Sequence, residues 1–357
     1  MTAVRWTALT GIALLLLLNG LALASHDWDP MAFVLDRPTD VPPEQTWGVG
    51  YDGQQAYAIA LDPLHPSDAL DHIAYRYMRI LYPLAASLLS PSPELIPWAL
   101  IAVNLLSAGI SVGILASLLE RRGAPAWPAL IMVLSFAYFI GLRLDLNEPL
   151  AFCLTLAGIL AWERDRTGAA VFYFGLAVLA KEVALVFPIA LAVADLLSTR
   201  RARALVLAAA PACIYLLWAG VVYLWIGQNP FGTAQSNLNI LPFGGLRELE
   251  GFQARLMIVL WVVGPAVVLG LMALRDLAAR SGAGSVEAWM VLANVALIAT
   301  LPNLTWFDPL AVFRMSVGLI LAGVLYLGTR WQRGLPFAAA IWGPSIMIAF
   351  LLPGFIL

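Results

Sequence analysis

LIPWALIAVNLLSAGISVGILASLLERR, residues 95–122, decides the fold. Residues 95–119 carry no charge, and the run stops at Glu120, Arg121 and Arg122. About 20 consecutive apolar residues suffice for a helix to cross the ~30 Å hydrocarbon core of a bilayer, so this stretch reads as a membrane span with a charged end. The rest of the chain repeats the pattern. Further apolar runs lie near 7–25, 126–142, 147–162, 168–180, 183–197, 204–226, 256–274, 288–304, 313–329 and 336–356. The sequence therefore implies an all-α, polytopic transmembrane helical protein of about 11 spans. Residues 1–357 form one transmembrane domain, and 26–80 form its first external loop.

Composition supports this and removes the alternatives. Of 357 residues, 61% are hydrophobic and only 12% charged, with a mean hydropathy of +0.85. A soluble domain carries about 25% charged residues, so too few are present to cover a water-facing surface. A soluble enzyme, a disordered chain and a secreted disulfide scaffold are excluded. A net charge of −2 gives no basic surface for nucleic acid. Cys153 and Cys213 each sit in an apolar run and read as packing residues. No internal repeat and no P-loop, GxGxxG, HExxH or CxxC pattern is present.

Arginine placement sets the orientation, because cytoplasmic loops collect Lys and Arg. With the amino terminus inside, 12 of the 20 basic residues fall in cytoplasmic segments: Arg5, Arg121, Arg122, Arg164, Arg166, Arg200, Arg201, Arg203, Arg275, Arg280, Arg330 and Arg333. Only six of the 22 acids join them, namely Glu120, Glu163, Asp165, Asp195, Asp276 and Glu287. This scheme requires residues 168–197 to turn back at Lys181-Glu182 as a hairpin. Its arms, each roughly 21 Å at 1.5 Å per residue, would leave the turn in a recess below the outer surface. The first span, behind Arg5 and ending in Ala22-Leu23-Ala24, fits a signal peptide and also a retained anchor; retention is favoured. The expected location is the cell inner membrane, with the external loops in the periplasm.

The first external loop holds nine of the 22 acids and all three histidines, His26, His65 and His72. Within it, YDGQQAYAIALDP (51–63) reads as a turn leading into a short helix near 53–61, with Ala56, Ile59 and Ala60 on the membrane surface. DHIAYRYMRILYP (71–83) reads as a second helix carrying Tyr75, Arg76 and Arg79, kinked or ended by Pro83. An Asp early in the first external loop, followed by an amphipathic helix and many spans, resembles the GT-C superfamily of membrane glycosyltransferases. The DGQQAY, RYMRILYPL, NEPLAF and AKE runs are similar to uncharacterised bacterial members, themselves distantly like the GPI second mannosyltransferase. The resemblance implies an inverting enzyme that moves a hexose or pentose, mannose among them, from a polyprenyl phosphate to a hydroxyl of a lipid, glycan or protein acceptor. It also implies Asp52 as the catalytic residue.

The residues support that chemistry. A base must take the acceptor proton and positive charge must hold the departing phosphate. Phosphate leaves unprotonated, so the second carboxylic acid of a glycosidase is unnecessary. Asp52 is the candidate base; with Gln55 it also fits a capping box. Arg76 and Arg79, spaced i,i+3, share a face and could grip phosphate or simply snorkel to the interface. Lys181, the single lysine, could contact phosphate or pair with Glu182 in the turn. Arg314, in NLTWFDPLAVFR (303–314), has the same two readings as the external arginines. Asp145 and Glu148 in RLDLNEPL are substrate or metal candidates, with Arg143 a salt-bridge partner and Asn147 a helix cap. Glu182, Tyr57 and Asp308 complete the substrate-binding set. No cofactor is required by the sequence, and a divalent metal is an option through the acidic residues. The outer loop 227–253 adds Phe231, Arg247 and Glu248, with Trp225 nearby. A transporter or flippase, which would show repeat halves and midplane charges, and a non-catalytic membrane assembly protein are the competing readings.

Overall fold

The computed structural model describes residues 2–34, 51–68, 70–198, 203–232, 239–279 and 285–352. Arg200, Arg201 and Arg280 of the cytoplasmic set, residues 35–50 of the first external loop and 233–238 of the later outer loop lie outside the described residues. All regular elements among the described residues are helical. The principal helices, in chain order, are α1 (Thr2–Ala24), α2 (Asp52–Leu61), α3 (Ile73–Tyr77), α4 (Leu81–Leu89), α5 (Ile96–Arg121), α6 (Phe136–Arg143), α7 (Glu148–Glu163), α8 (Thr167–Ala180), α9 (Val186–Ser198), α10 (Arg203–Ile226), α11 (Phe252–Ala279), α12 (Val286–Ala299), α13 (Pro309–Met315), α14 (Val317–Arg330) and α15 (Leu335–Trp342).

Among the described residues, six helices are long and apolar enough to cross a membrane: Thr2–Ala24, Pro93–Arg121, Arg203–Ile226, Phe252–Ala279, Pro309–Arg330 and Gln332–Leu351. The pair α6 and α7, bent by 120° at its break, makes up to seven. The count of about 11 from apolar runs is thus not reproduced, because an apolar run need not be one straight helix. Run 126–142 breaks at Ser135, whose extended backbone and side-chain acceptance from the Tyr138 N–H start α6 afresh. The runs at 168–180, 183–197 and 288–304 form helices of 14, 13 and 14 residues.

Without water to expel, helices in lipid associate through close packing at small residues. A Cβ built on Gly11 would lie 2.8 Å from the Val112 side chain, joining α1 to α5. One on Gly175 would lie 2.6 Å from Ile214, joining α8 to α10. Lys181 interrupts the chain in extended conformation between α8 and α9. Both arms then return to one end of α10: Arg203 reaches Asp165 before α8 at 2.6 Å and Asp195 in α9 at 3.9 Å. The segment is therefore a hairpin with Lys181-Glu182 at its tip, as charge placement required. At the same end of the bundle Arg122 pairs with Glu163 and, at 3.1 Å, with Glu287. Gln332 donates to the Gly123 carbonyl there at 3.0 Å.

Two local expectations change. Ala56, Ile59 and Ala60 are buried against the protein, the first and last beside Tyr82, Ala86 and Ile96, rather than lying on the membrane surface. Pro83 falls in the first turn of α4 rather than ending a helix, a position where its missing N–H costs nothing.

Candidate functional site

Asp52 is the first residue of α2, and its carboxylate makes no capping bond. It is instead the hub of three guanidiniums. Arg76 donates to Oδ1, while Arg314 Nη2 and Arg79 Nη1 reach Oδ2 at 2.5 Å and 3.2 Å. Burial alone pushes the Asp52 carboxyl up, but Arg314, Arg76 and Arg79 outweigh it and hold the group well below the usual carboxylate range. The expected helix ends at Tyr77, so Arg79 lies in the turn before α4, yet it and Arg76 both reach Asp52. Neither snorkels: Asp71 binds Arg76 in bidentate fashion at 2.7 Å and 2.5 Å, and Arg79 is buried. Gln55 caps nothing; its Oε1 accepts the Asp71 N–H at 3.3 Å.

The start of α2 is fixed by a close approach of two backbones. A Cβ on Gly53 would lie 2.1 Å from the Leu144 carbonyl oxygen. That carbonyl belongs to the bend between α6 and α7, where Asp145 takes the left-handed φ of 48°. Only glycine lets the Asp52 turn sit so low on this bend.

Lys181 and Glu182 do not pair with each other. Lys181 Nζ bonds Glu148, and both residues are 1% exposed. Glu182 takes Arg79 in two bonds, Nη2 at 2.6 Å and Nε at 2.9 Å. Arg79 Nη2 also donates to the Tyr75 hydroxyl at 2.5 Å, with its guanidinium 4.7 Å from that ring's centre. Asn147, read as a helix cap, instead donates to the Ala180 carbonyl at 3.0 Å and the Arg79 carbonyl at 3.4 Å. It thereby stitches the arginine turn to the lysine tip.

Arg314 arrives from α13. Its Nε lies 3.5 Å from Glu148, and its guanidinium lies 5.5 Å from the Tyr51 ring centre. Asp308 caps α13 through the Leu310 N–H at 2.9 Å and accepts the Tyr51 hydroxyl at 2.5 Å. Tyr51 thus ties the helix that carries Arg314 to the helix that begins with Asp52.

These groups surround a cavity of about 480 Å³. One wall is charged: Asp52, Arg79, Lys181, Glu182, Asp308 and Arg314. The lining also includes aromatic and apolar side chains: Tyr215, Phe231, Pro302, Leu304 and Met315. Of the candidate set, Arg76 and Glu148 stand behind this wall as partners of Asp52 and Lys181. Two candidates fall away from it. Tyr57 packs with Val34, Ala56 and Tyr82. Asp145 is fully buried beneath the site, facing the Tyr82 hydroxyl at 3.4 Å. Asp145 and Glu148 therefore engage different partners, and no group of three or more His, Cys, Asp or Glu residues among the described residues is arranged to hold a metal. Arg143 serves the Ala32 carbonyl at 2.6 Å and the His26 ring at 3.3 Å. Arg247 and Glu248 pair with each other at 3.1 Å, and Trp225 packs edge-on against Tyr77.

Of the aromatic members, sequence reasoning singled out Phe231 and placed Tyr75 beside the arginines, but missed Tyr51 and Tyr215 as site residues. Tyr51, Tyr75 and Tyr215 line the cavity, yet only Tyr75 carried a signal, its i,i+4 spacing to Arg79. Comparison with known proteins gives no further identification: no family model, no curated protein and no solved structure matches the chain.

Proposed function

We propose that this protein is an inverting glycosyltransferase of GT-C type. It takes a sugar from a polyprenyl phosphate donor to an acceptor hydroxyl at the periplasmic face of the inner membrane. The observation that carries the reading is the shared cavity: Asp52 opens onto the same space as Arg79, Lys181 and Arg314. A cavity lined by both these charged groups and apolar side chains suits an amphiphile with an anionic head. The orientation rests on the arginine distribution and on the ion pairs that gather the Arg122, Arg203 and Glu287 segments at one end. The shorter helices α7, α8, α9 and α12 would supply the partial crossings that raise the span count toward 11.

In the reaction the acceptor O–H bond breaks and its proton passes to the Asp52 carboxylate. The freed oxygen bonds to the anomeric carbon. The carbon–oxygen bond to phosphate breaks on the opposite side, and its electron pair leaves on the phosphate. Arg79, Arg314 and Lys181 hold the charge that develops there. At rest Asp52 is a weak base, because three guanidiniums keep it ionised. A donor phosphate competes for Arg79 and Arg314, and each guanidinium drawn away raises the proton affinity of Asp52.

The test is Asp52→Asn in proteoliposomes supplied with lipid-linked sugars. Loss of a positioned base costs about 10²–10⁴-fold in turnover. Unchanged transfer by a folded variant removes Asp52 as the base, and lipid-linked sugar crossing the membrane without transfer favours a flippase.

A further inference from the structure

A second cavity pair lies on the lipid-facing side, at the far end of the bundle. It is built around Pro265. Proline has no N–H, so the Trp261 carbonyl loses its helical donor and residues 259–263 widen into a π turn. The Trp342 indole N–H takes that carbonyl at 3.1 Å, and the Trp261 indole N–H donates in return to the Ile341 carbonyl at 2.8 Å. These reciprocal bonds pin α11 to α15 at one level. Below the pin the two helices leave a groove of about 400 Å³, floored by Gly264, Pro265 and Ala338. Its rim is apolar and exposed: Leu260 is 50%, Val268 56% and Phe337 68% accessible. From Val259 to Met272 the groove follows about 13 residues of helix, roughly 20 Å at 1.5 Å per residue. One leaflet's hydrocarbon is about 15 Å deep, half of the ~30 Å core.

The groove does not end in apolar surface. Met272 and Trp331 also line a second cavity of about 380 Å³, whose other walls include Arg275, Arg330 and Asp276. Arg330 Nε lies 3.6 Å from Asp276, so the paired charges cancel and the exposed Arg275 leaves the mouth net positive. This mouth lies 16 residues, roughly 24 Å, along the Pro309–Arg330 span from Arg314. It therefore belongs to the opposite leaflet from the cavity described above.

We propose that this is a binding site for an anionic glycerophospholipid, with one acyl chain in the groove and the phosphate at Arg275 and Arg330. A long apolar trough that leads to a basic, tryptophan-edged mouth matches such a lipid in length, polarity and charge. The inference rests on the membrane reading alone, not on sugar transfer. The test is native mass spectrometry of the detergent-purified protein titrated with phosphatidylglycerol and, separately, phosphatidylcholine. Phosphatidylglycerol should bind more tightly. Arg275→Ala should weaken it about fivefold, the factor that ~1 kcal/mol per basic residue at an anionic surface implies. Val268→Trp, which fills the groove from its exposed rim, should abolish binding of both lipids. Equal binding of the two lipids by the unaltered protein overturns the proposal, as does binding unchanged by both variants. Arg275 is on the surface, so its variant keeps the test open if Val268→Trp does not fold.

Discussion

Gly53→Ala is the smallest change that reaches Asp52, the proposed base. The new methyl would stand 2.1 Å from the Leu144 carbonyl oxygen, whereas ordinary contact begins at 3.4 Å. The turn must therefore retreat by about 1.3 Å, the difference between the two. The carbonyl itself cannot yield easily, because the bend is held by the Leu144 N–H on Ile140 at 3.0 Å and the Leu146 N–H on Gly141 at 2.9 Å. A misplacement of about 1 Å costs on the order of 10²-fold in rate, and overpacking costs about 1–3 kcal/mol of stability. Both effects oppose the gain of ~0.5–1 kcal/mol that glycine to alanine normally brings to a helix. Gly220→Ala in α10, where nothing lies within 4 Å of the added carbon, supplies the control for that gain. The assay is transfer from a lipid-linked donor in proteoliposomes, beside thermal unfolding in detergent. Gly53→Ala should be slower by about two orders of magnitude and melt below the control. If it matches the control in both, the Asp52 turn does not depend on this close approach and the argument fails.

Lys181→Ala should weaken donor binding more than acceptor binding, measured as separate KM values; an equal effect on both would assign the lysine to Glu148 alone. Its removal also leaves Glu148 with only the 3.5 Å contact to Arg314, so a loss of stability within the ~3–5 kcal/mol range of a broken buried pair is expected. The Asp52 carboxyl is depressed from an ordinary value of 3.8, so its stabilising contribution is complete above that value and is lost as pH falls through the folded-state value. The melting difference between the unaltered protein and Asp52→Asn should therefore be flat from pH 7 to 5 and shrink below about pH 4; a difference that shrinks already above pH 5 contradicts the ion-pair geometry. Single cysteines placed at exposed positions in residues 62–68 should react with impermeant maleimide from the periplasm, and labelling only from the cytoplasm would invert the topology.

The helical class and the charged members of the site were legible because each is written locally. An uncharged run such as 95–119 has few alternatives to a buried helix, and Arg76 and Arg79 stand close enough in the chain to reach one partner. The hairpin at Lys181-Glu182 was legible for another reason: only a turn there keeps Arg164 and Arg203 on one side. Breaks inside apolar runs were not legible, since Ser135 resembles any other small residue until its capping bond forms. Partner choice was hidden too. Glu148 and Lys181 are 33 residues apart, and Tyr51 meets Asp308 across 257; only the folded bend and the hairpin bring such pairs together. Gly53 was read as half of an Asp-Gly turn, because a close backbone approach from residue 144 leaves no trace near residue 53.

The charge balance of the cavity bears on how such a site could both rest in a membrane and act. Its wall carries three cations, Arg79, Lys181 and Arg314, against three carboxylates, Asp52, Glu182 and Asp308. A neutral sum limits the penalty of holding ionised groups away from bulk water. On the proposed reaction a sugar phosphodiester enters with one negative charge, and the phosphate leaves with two. The acceptor proton moves to Asp52 in the same step, so total charge is unchanged and one negative charge passes from carboxylate to phosphate. The guanidiniums that bind Asp52 at rest are the ones the phosphate needs at that moment, and protonation of Asp52 weakens their hold on it. Arg79 retains Glu182 through two bonds and Arg314 retains Glu148, so neither has to be carried far for the exchange.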